Sequence, residues 1–331
     1  MMPLASGPTW LGVPLVELWF VAIFLTLAMF LWLDGTNFGM GVLYGLSDDH
    51  ETRERILTAL APLWDGAEVW LIVFGGALFA VFPDVYAGIF SGYYLLMFAI
   101  LGALILRGIS PEFLEQREDP QWRRAWSSTF IFGSTLAPFL LGMFAANWLV
   151  GAESLVTLPG IVVGLALVAI SMAQGAGFLG MKTEAGLDGE MRRYGMLSQV
   201  VYLLLAVVTV VYLYLAVEGM ATKVVHPTIL GLVALTAILG IGYLWFLQNG
   251  QYRPAFLAAG AQIFGLVTLV ALLFFPVIYP AAGLTAFDAA VSTLQLKMMT
   301  VVLAIFLPLV LLYFAVLYSA FAGPAEPAEG Y

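Results

Sequence analysis

The stretch PLVELWFVAIFLTLAMFLWLDGTNFGMGVLYGL, residues 14–46, carries only two charged side chains, Glu17 and Asp34. A helix needs about 20 mostly apolar residues to cross a bilayer at about 1.5 Å per residue, so this segment is long enough to span. Its one interior acid is conspicuous, because a carboxylate at bilayer depth is costly and usually marks a functional site.

The rest of the chain has the same character. Of 331 residues, 62% are hydrophobic and 10% charged, where a soluble domain carries roughly 25% charged residues; the mean hydropathy is +0.99. An all-α integral membrane protein follows. The absence of cysteine excludes disulfide frameworks, iron–sulfur clusters and thiolate metal sites. The net charge of −9 is spread over short loops, and no nucleic-acid partner is expected. The opening MMPLASGPTWLGVP lacks the basic region of a cleavable signal, so the first apolar segment is expected to remain in the mature protein.

Breaking the chain at polar clusters, glycines and prolines predicts nine spans, at about 14–46, 54–82, 85–107, 125–150, 157–181, 194–217, 227–248, 254–279 and 291–321. The second is read as one helix, bent near Pro62. Of twelve Lys and Arg residues, ten fall in alternate loops on one side, from Arg53 and Arg55 to Arg253, against Lys223 on the other and Lys297 within the last span. The positive-inside rule then places the N-terminus outside and the C-terminus in the cytoplasm. DGTNFGMG from Asp34 is echoed by QGAGFLGM from Gln174, and Arg53 by Arg193, both at an offset of 140 residues. The expectation is a single membrane domain, 1–331, with two four-helix halves (14–150 and 157–279) and an extra peripheral helix (291–321).

The stretch APLWDGAEVWL, residues 61–71, adds two more acids, Asp65 and Glu68. Fifteen residues separate Asp34 from Asp49 in the connecting loop, and sixteen separate Asp49 from Asp65. In an antiparallel hairpin both acids lie at nearly equal depth on the cytoplasmic side, and Glu68 shares a helix face with Asp65 about 4.5 Å deeper. A carboxyl group in low dielectric can stay neutral at pH 7 and pass protons, as relays require. The competing reading is that Asp65 braces a broken helix near Pro62, and for Asp34 bracing and relay are equally open.

The two histidines, His50 and His226, should lie on opposite membrane faces and cannot jointly hold a haem. Arg107, at the predicted end of the third span, is expected to snorkel to the cytoplasmic headgroups. Lys297, inside the last span, needs a partner or a path to water, and Asp288 is too distant along an ideal helix to be sure of that role. Trp10, Trp19 and Trp148 suit an outer interfacial belt, and Trp122 and Trp126 an inner one. Gly75, Gly76 and Gly92 are expected to permit close helix approach.

Several motifs together resemble subunit II of cytochrome bd-type quinol oxidases: LDGTNFGMG at 33–41, APLWDGAEVWL at 61–71, GGALFAVFPDVYA at 75–87, LILRG at 104–108 and TLQLKMM at 293–299. The resemblance runs in order over nearly the whole chain. It implies a nine-helix subunit of a pseudo-symmetric heterodimer in a prokaryotic plasma membrane. The partner, subunit I, carries a low-spin haem b, a high-spin haem b and haem d, and oxidises quinol near the outer face while O₂ is reduced to water. No cofactor is expected in this chain, although the family leaves room for a structural quinone. The resemblance assigns Asp65 a cytoplasmic proton entry route, with Glu68 and Asp34 in supporting positions. Two departures bear on that route: Ala67 stands where the family usually has Asn, and Asn37 where it usually has a second acid. A proton-coupled secondary transporter is the alternative from another class, and a purely stabilising subunit is a third reading.

Overall fold

The computed structural model describes residues 7–60, 64–182 and 189–320, with their side chains except those of Trp64, Asp65, Leu317, Tyr318 and Ala320. The chain is all-helical apart from two small hairpins. Helices α1 (Leu15–Leu46), α2 (His50–Leu60), α3 (Trp64–Val81), α4 (Pro83–Gly92), α5 (Tyr94–Glu115) and α6 (Pro120–Val150) form the first part. Next come α7 (Leu158–Lys182), α8 (Gly189–Ala216), α9 (Met220–Val224), α10 (Pro227–Gln248), α11 (Tyr252–Phe274), α12 (Ala286–Ala289) and α13 (Thr293–Ala320). Strands β1 (Thr9–Trp10) and β2 (Val13–Pro14) pair ahead of α1, and β3 (Val277–Tyr279) pairs with β4 (Leu284–Thr285) between α11 and α12.

Among the described residues, eight helices are long and apolar enough to cross a membrane, and Gly66–Val81 forms a shorter apolar helix. The chain is therefore a multi-pass membrane protein. Within the predicted second span, 54–82, α2 is described to Leu60 and α3 from Trp64, and Pro62, where the bend is expected, lies outside the described residues. The predicted third span divides at Tyr93 and then runs eight residues past Arg107 to Glu115. The predicted eighth span, 254–279, ends as a helix at Phe274, two residues before Pro276.

Helix α1 is central, packing against α3, α6, α7 and α11. Its closest approach is to α7, where a Cβ added at Gly39 would lie 1.8 Å from the Ser171 carbonyl oxygen and one at Gly175 2.6 Å from the Met40 nitrogen. Small residues let membrane helices approach until backbones touch, which replaces the hydrophobic drive that lipid cannot supply. Gly75 and Gly76 do not act this way here, for a Cβ at either meets nothing within 4 Å in this chain.

Two tryptophans expected in the outer belt are core residues instead. Trp148 is 2% exposed, stacks between Phe24 and Phe144 and donates from Nε1 to the Ile278 carbonyl at 2.9 Å. Trp19 is buried and donates to Thr300 Oγ1 at 3.0 Å, tying α1 to α13. Indole has one donor and much apolar surface, so a single acceptor suffices to bury it. Trp122 and Trp126 stay half-buried beside Phe113. Lys297 is half-buried in α13, while Asp288 accepts from Thr285 Oγ1 at 2.5 Å in the turn before it.

Candidate functional site

The polar tail of α1 stays helical because its side chains find partners nearby. Thr36 Oγ1 donates to the Trp32 carbonyl one turn back at 2.8 Å, and Asn37 Nδ2 donates to Asp34 Oδ1 at 3.1 Å. Asp34 is fully buried. It is matched by Arg107 from α5, whose Nη2 lies 3.1 Å from Asp34 Oδ1 and 3.2 Å from Oδ2. The same nitrogen donates to Glu68 Oε1 from α3. The guanidinium also lies over the Phe38 ring, 4.9 Å from its centroid.

Arg107 reaches this point because α5 does not end there. Ser110 Oγ donates to the Leu106 carbonyl at 2.5 Å, and Pro111 is accommodated within the helix. Opposite Arg107, α6 presents Gly133, where a Cβ would lie 2.6 Å from the Arg107 nitrogen. The snorkelling expected of Arg107 is thus overturned: its side chain is 1% exposed and turned inward to two acids. A charge surrounded by apolar helices is tolerable only with such partners.

Three charges share this site, two carboxylates and one guanidinium. Arginine keeps its proton at any physiological pH, so the guanidinium is the fixed positive charge of the described cluster. The three differ in access, with Asp34 and Arg107 sealed and Glu68 35% exposed. Glu68 is the member of the cluster that reaches the surface of this chain. Around the cluster, Arg107 Nε, Ser134 Oγ, Ser171 Oγ and Gln174 Nε2 are buried with no hydrogen-bond partner among the described residues. A Cβ at Gly35, beside Asp34, would lie 3.3 Å from Gln174 Nε2 and 3.5 Å from Ser171 Oγ, so this polar seam runs from α1 to α7. Buried polar groups of this kind are ordinarily satisfied by ordered water.

Of the residues singled out in the sequence, Asp34 and Glu68 come together through Arg107. Asp65 lies in the first turn of α3, and its side chain is outside the described residues. Ala67 is 1% exposed, so the missing Asn side chain falls at a closed position. Arg107 is the participant that the sequence alone misplaced. His50 is exposed on α2, His226 caps α10, and among the described residues there is no group of three or more His, Cys, Asp or Glu able to hold a metal ion.

The model of the family described as cytochrome bd terminal oxidase subunit II matches residues 15–321. The chain is 27% identical to cytochrome bd-I ubiquinol oxidase subunit 2 of Escherichia coli K12, over 91% of this chain and 92% of that one. It is 25% identical to the probable cytochrome oxidase subunit 2 of Haemophilus influenzae, over 92% and 94% respectively. The solved structure of bd oxidase from Geobacillus thermodenitrificans has the same fold, with a TM-score of 0.76 and 18% identity over 93% of this chain and 99% of the matched chain.

Proposed function

The chain belongs to the cytochrome bd terminal oxidase subunit II family, and on that premise we propose that it is the haem-free subunit of a quinol:oxygen oxidoreductase and supplies the cytoplasmic proton entry. Its partner is the haem-bearing subunit I, with two haems b and haem d, in a bacterial plasma membrane. Haem in the partner would supply the oxygen chemistry. This chain contributes the positions at which protons wait.

The observation that carries the reading is Arg107 held between buried Asp34 and half-exposed Glu68. Asp65, one turn before Glu68 on α3, takes protons from the cytoplasmic side. Glu68 accepts them next, because it is the reachable acid of the cluster. Asp34 acts as the fixed counter-ion of Arg107, and the unsatisfied seam of Ser171 and Gln174 offers water-binding positions beyond it. Quinol protons leave outside and protons consumed in water formation enter from the cytoplasm, so charge separates without a pump. The topology proposed with this is nine crossings, with α3 and α4 completing the second and third, the N-terminus outside and two four-helix halves followed by α13.

Asp65→Asn in the assembled complex tests the assignment. Oxygen consumption should fall while haem content stays at the wild-type level; loss of haem or of assembly would instead identify Asp65 as a brace.

A further inference from the structure

Among the described residues, every hydrogen bond and ion pair of the Arg107 side chain runs through one atom. Nη2 lies 3.1 Å from Asp34 Oδ1 and 3.2 Å from Oδ2 and also donates to Glu68, while the buried Nε has no hydrogen-bond partner among them. A planar guanidinium fastened at a single nitrogen can turn about that point, so its plane has to be set by a contact on its face. The structure supplies such a contact in the Phe38 ring, whose centroid lies 4.9 Å from Arg107 Cζ.

Phe38 is placed for this task by the helix itself. It follows Asp34 by four residues on α1, so ring and carboxylate leave the same face one turn apart. Phe30, four residues before Asp34, continues the stripe and meets Phe38 edge-on, with centroids 6.2 Å apart and planes at 78°. Both rings are fully buried. The face of an aromatic ring is electron-rich and attracts a guanidinium most strongly where water is excluded. Helix α1 thus holds Arg107 at its edge through Asp34 and across its face through Phe38, whereas Glu68 approaches from α3 and is 35% exposed.

We propose that Phe38 is a positioning residue for proton transfer at Glu68, a role that rests on the proton route proposed above. When Glu68 takes up a proton its carboxyl becomes neutral, and its hold on the guanidinium weakens. Asp34 and Phe38 then keep Arg107 on α1. When the proton moves on, the Glu68 carboxylate meets the cation in the same place. Without the ring face, Arg107 pivots about Nη2 and that return is slowed.

Fluorinated phenylalanines at position 38 of the assembled complex test the role, because fluorine withdraws electron density from the ring face and changes its shape little. Oxygen consumption should fall stepwise through the monofluoro, difluoro and trifluoro rings while haem content stays at the wild-type level. Phe38→Leu, apolar but without a ring, should be about tenfold slower. A flat fluorine series overturns the proposal even where Phe38→Leu is slow, since the ring then only fills space. Asp65→Asn, measured alongside, separates the two ideas. Slow Asp65→Asn with a flat series leaves the proton route standing without Phe38, whereas Asp65→Asn at the wild-type rate removes the route and this role with it.

Discussion

Arg107 and Asp34 form an ion pair at 3.1 Å in which neither side chain reaches the surface, at 1% and 0% exposure. With Glu68 on the same guanidinium nitrogen, the pair joins α1, α3 and α5 at one point. The arrangement is asymmetric in charge, and that asymmetry ranks the substitutions.

Arg107→Leu strands two acids, one of them wholly buried, whereas Asp34→Asn leaves Arg107 balanced by Glu68 and preserves the amide of Asn37 as a neighbour. Removing one partner of a buried pair costs about 3–5 kcal/mol. Arg107→Leu should reach that range, and Asp34→Asn should cost clearly less. Thermal unfolding of the two complexes compares them directly, and a larger loss for Asp34→Asn would mean that Glu68 does not share the charge.

Hydropathy made the helices legible, and the acids of the WDG stretch with them. Arg107 was not, because a charge at the edge of an apolar run reads as the end of a span. The residues after it, GISPEFLE, contain proline and two acids, yet they continue α5 to Glu115. Arg107 lies eight residues before the end of α5 at Glu115, about 12 Å along the axis, and Asp34 twelve before the end of α1 at Leu46, about 18 Å. The depth of Arg107 inside its helix becomes visible only once the end of α5 is known.

The buried glutamines of α8 and α11 offer a second cycle. Gln199 Nε2 donates to Gln262 Oε1 at 2.9 Å, and the reciprocal contact is 3.5 Å. Gln262→Leu leaves the Gln199 amide unsatisfied, and Gln199→Leu leaves the Gln262 carbonyl oxygen unsatisfied while Nε2 keeps the Ala258 carbonyl at 3.4 Å, each at about 1–3 kcal/mol. In Gln199→Leu/Gln262→Leu both amides are gone, so the double variant should be no less stable than the worse single one. Additive losses in thermal unfolding would show that the two side chains do not depend on each other.

At the start of α2, Asp49 Oδ2 accepts from Thr52 N and Thr52 Oγ1, each at 2.8 Å. These bonds hold the Asp49 carboxyl below its ordinary value of 3.8. A carboxylate depressed on folding contributes stability that is present above its unfolded pKa and lost as pH falls through the folded one. Hydrogen exchange of the α2 amides should therefore show extra protection relative to Asp49→Ala at about pH 7 and a shrinking difference at about pH 3, once intrinsic exchange is corrected. A difference that is constant across that range assigns the protection to something other than the cap.

Glycine packing gives the sharpest contrast between neighbouring sequence patterns. At Gly39 a Cβ would sit 1.8 Å from the Ser171 carbonyl oxygen, a backbone atom that cannot rotate away. Gly39→Ala must part α1 from α7, and because α1 is the helix that positions Asp34, the parting disturbs the Arg107 cluster as well. At Gly75, by contrast, an added Cβ meets nothing within 4 Å, and alanine has the better helix propensity by about 1 kcal/mol. Gly39→Ala should abolish recovery of folded subunit, while Gly75→Ala should leave its folding unchanged or slightly improved. Co-purification with subunit I then separates two roles for the Gly75 face. Folded Gly75→Ala that still assembles places this face against lipid, whereas folded Gly75→Ala that no longer binds the partner places it in the heterodimer interface, where the close approach missing within this chain would be made.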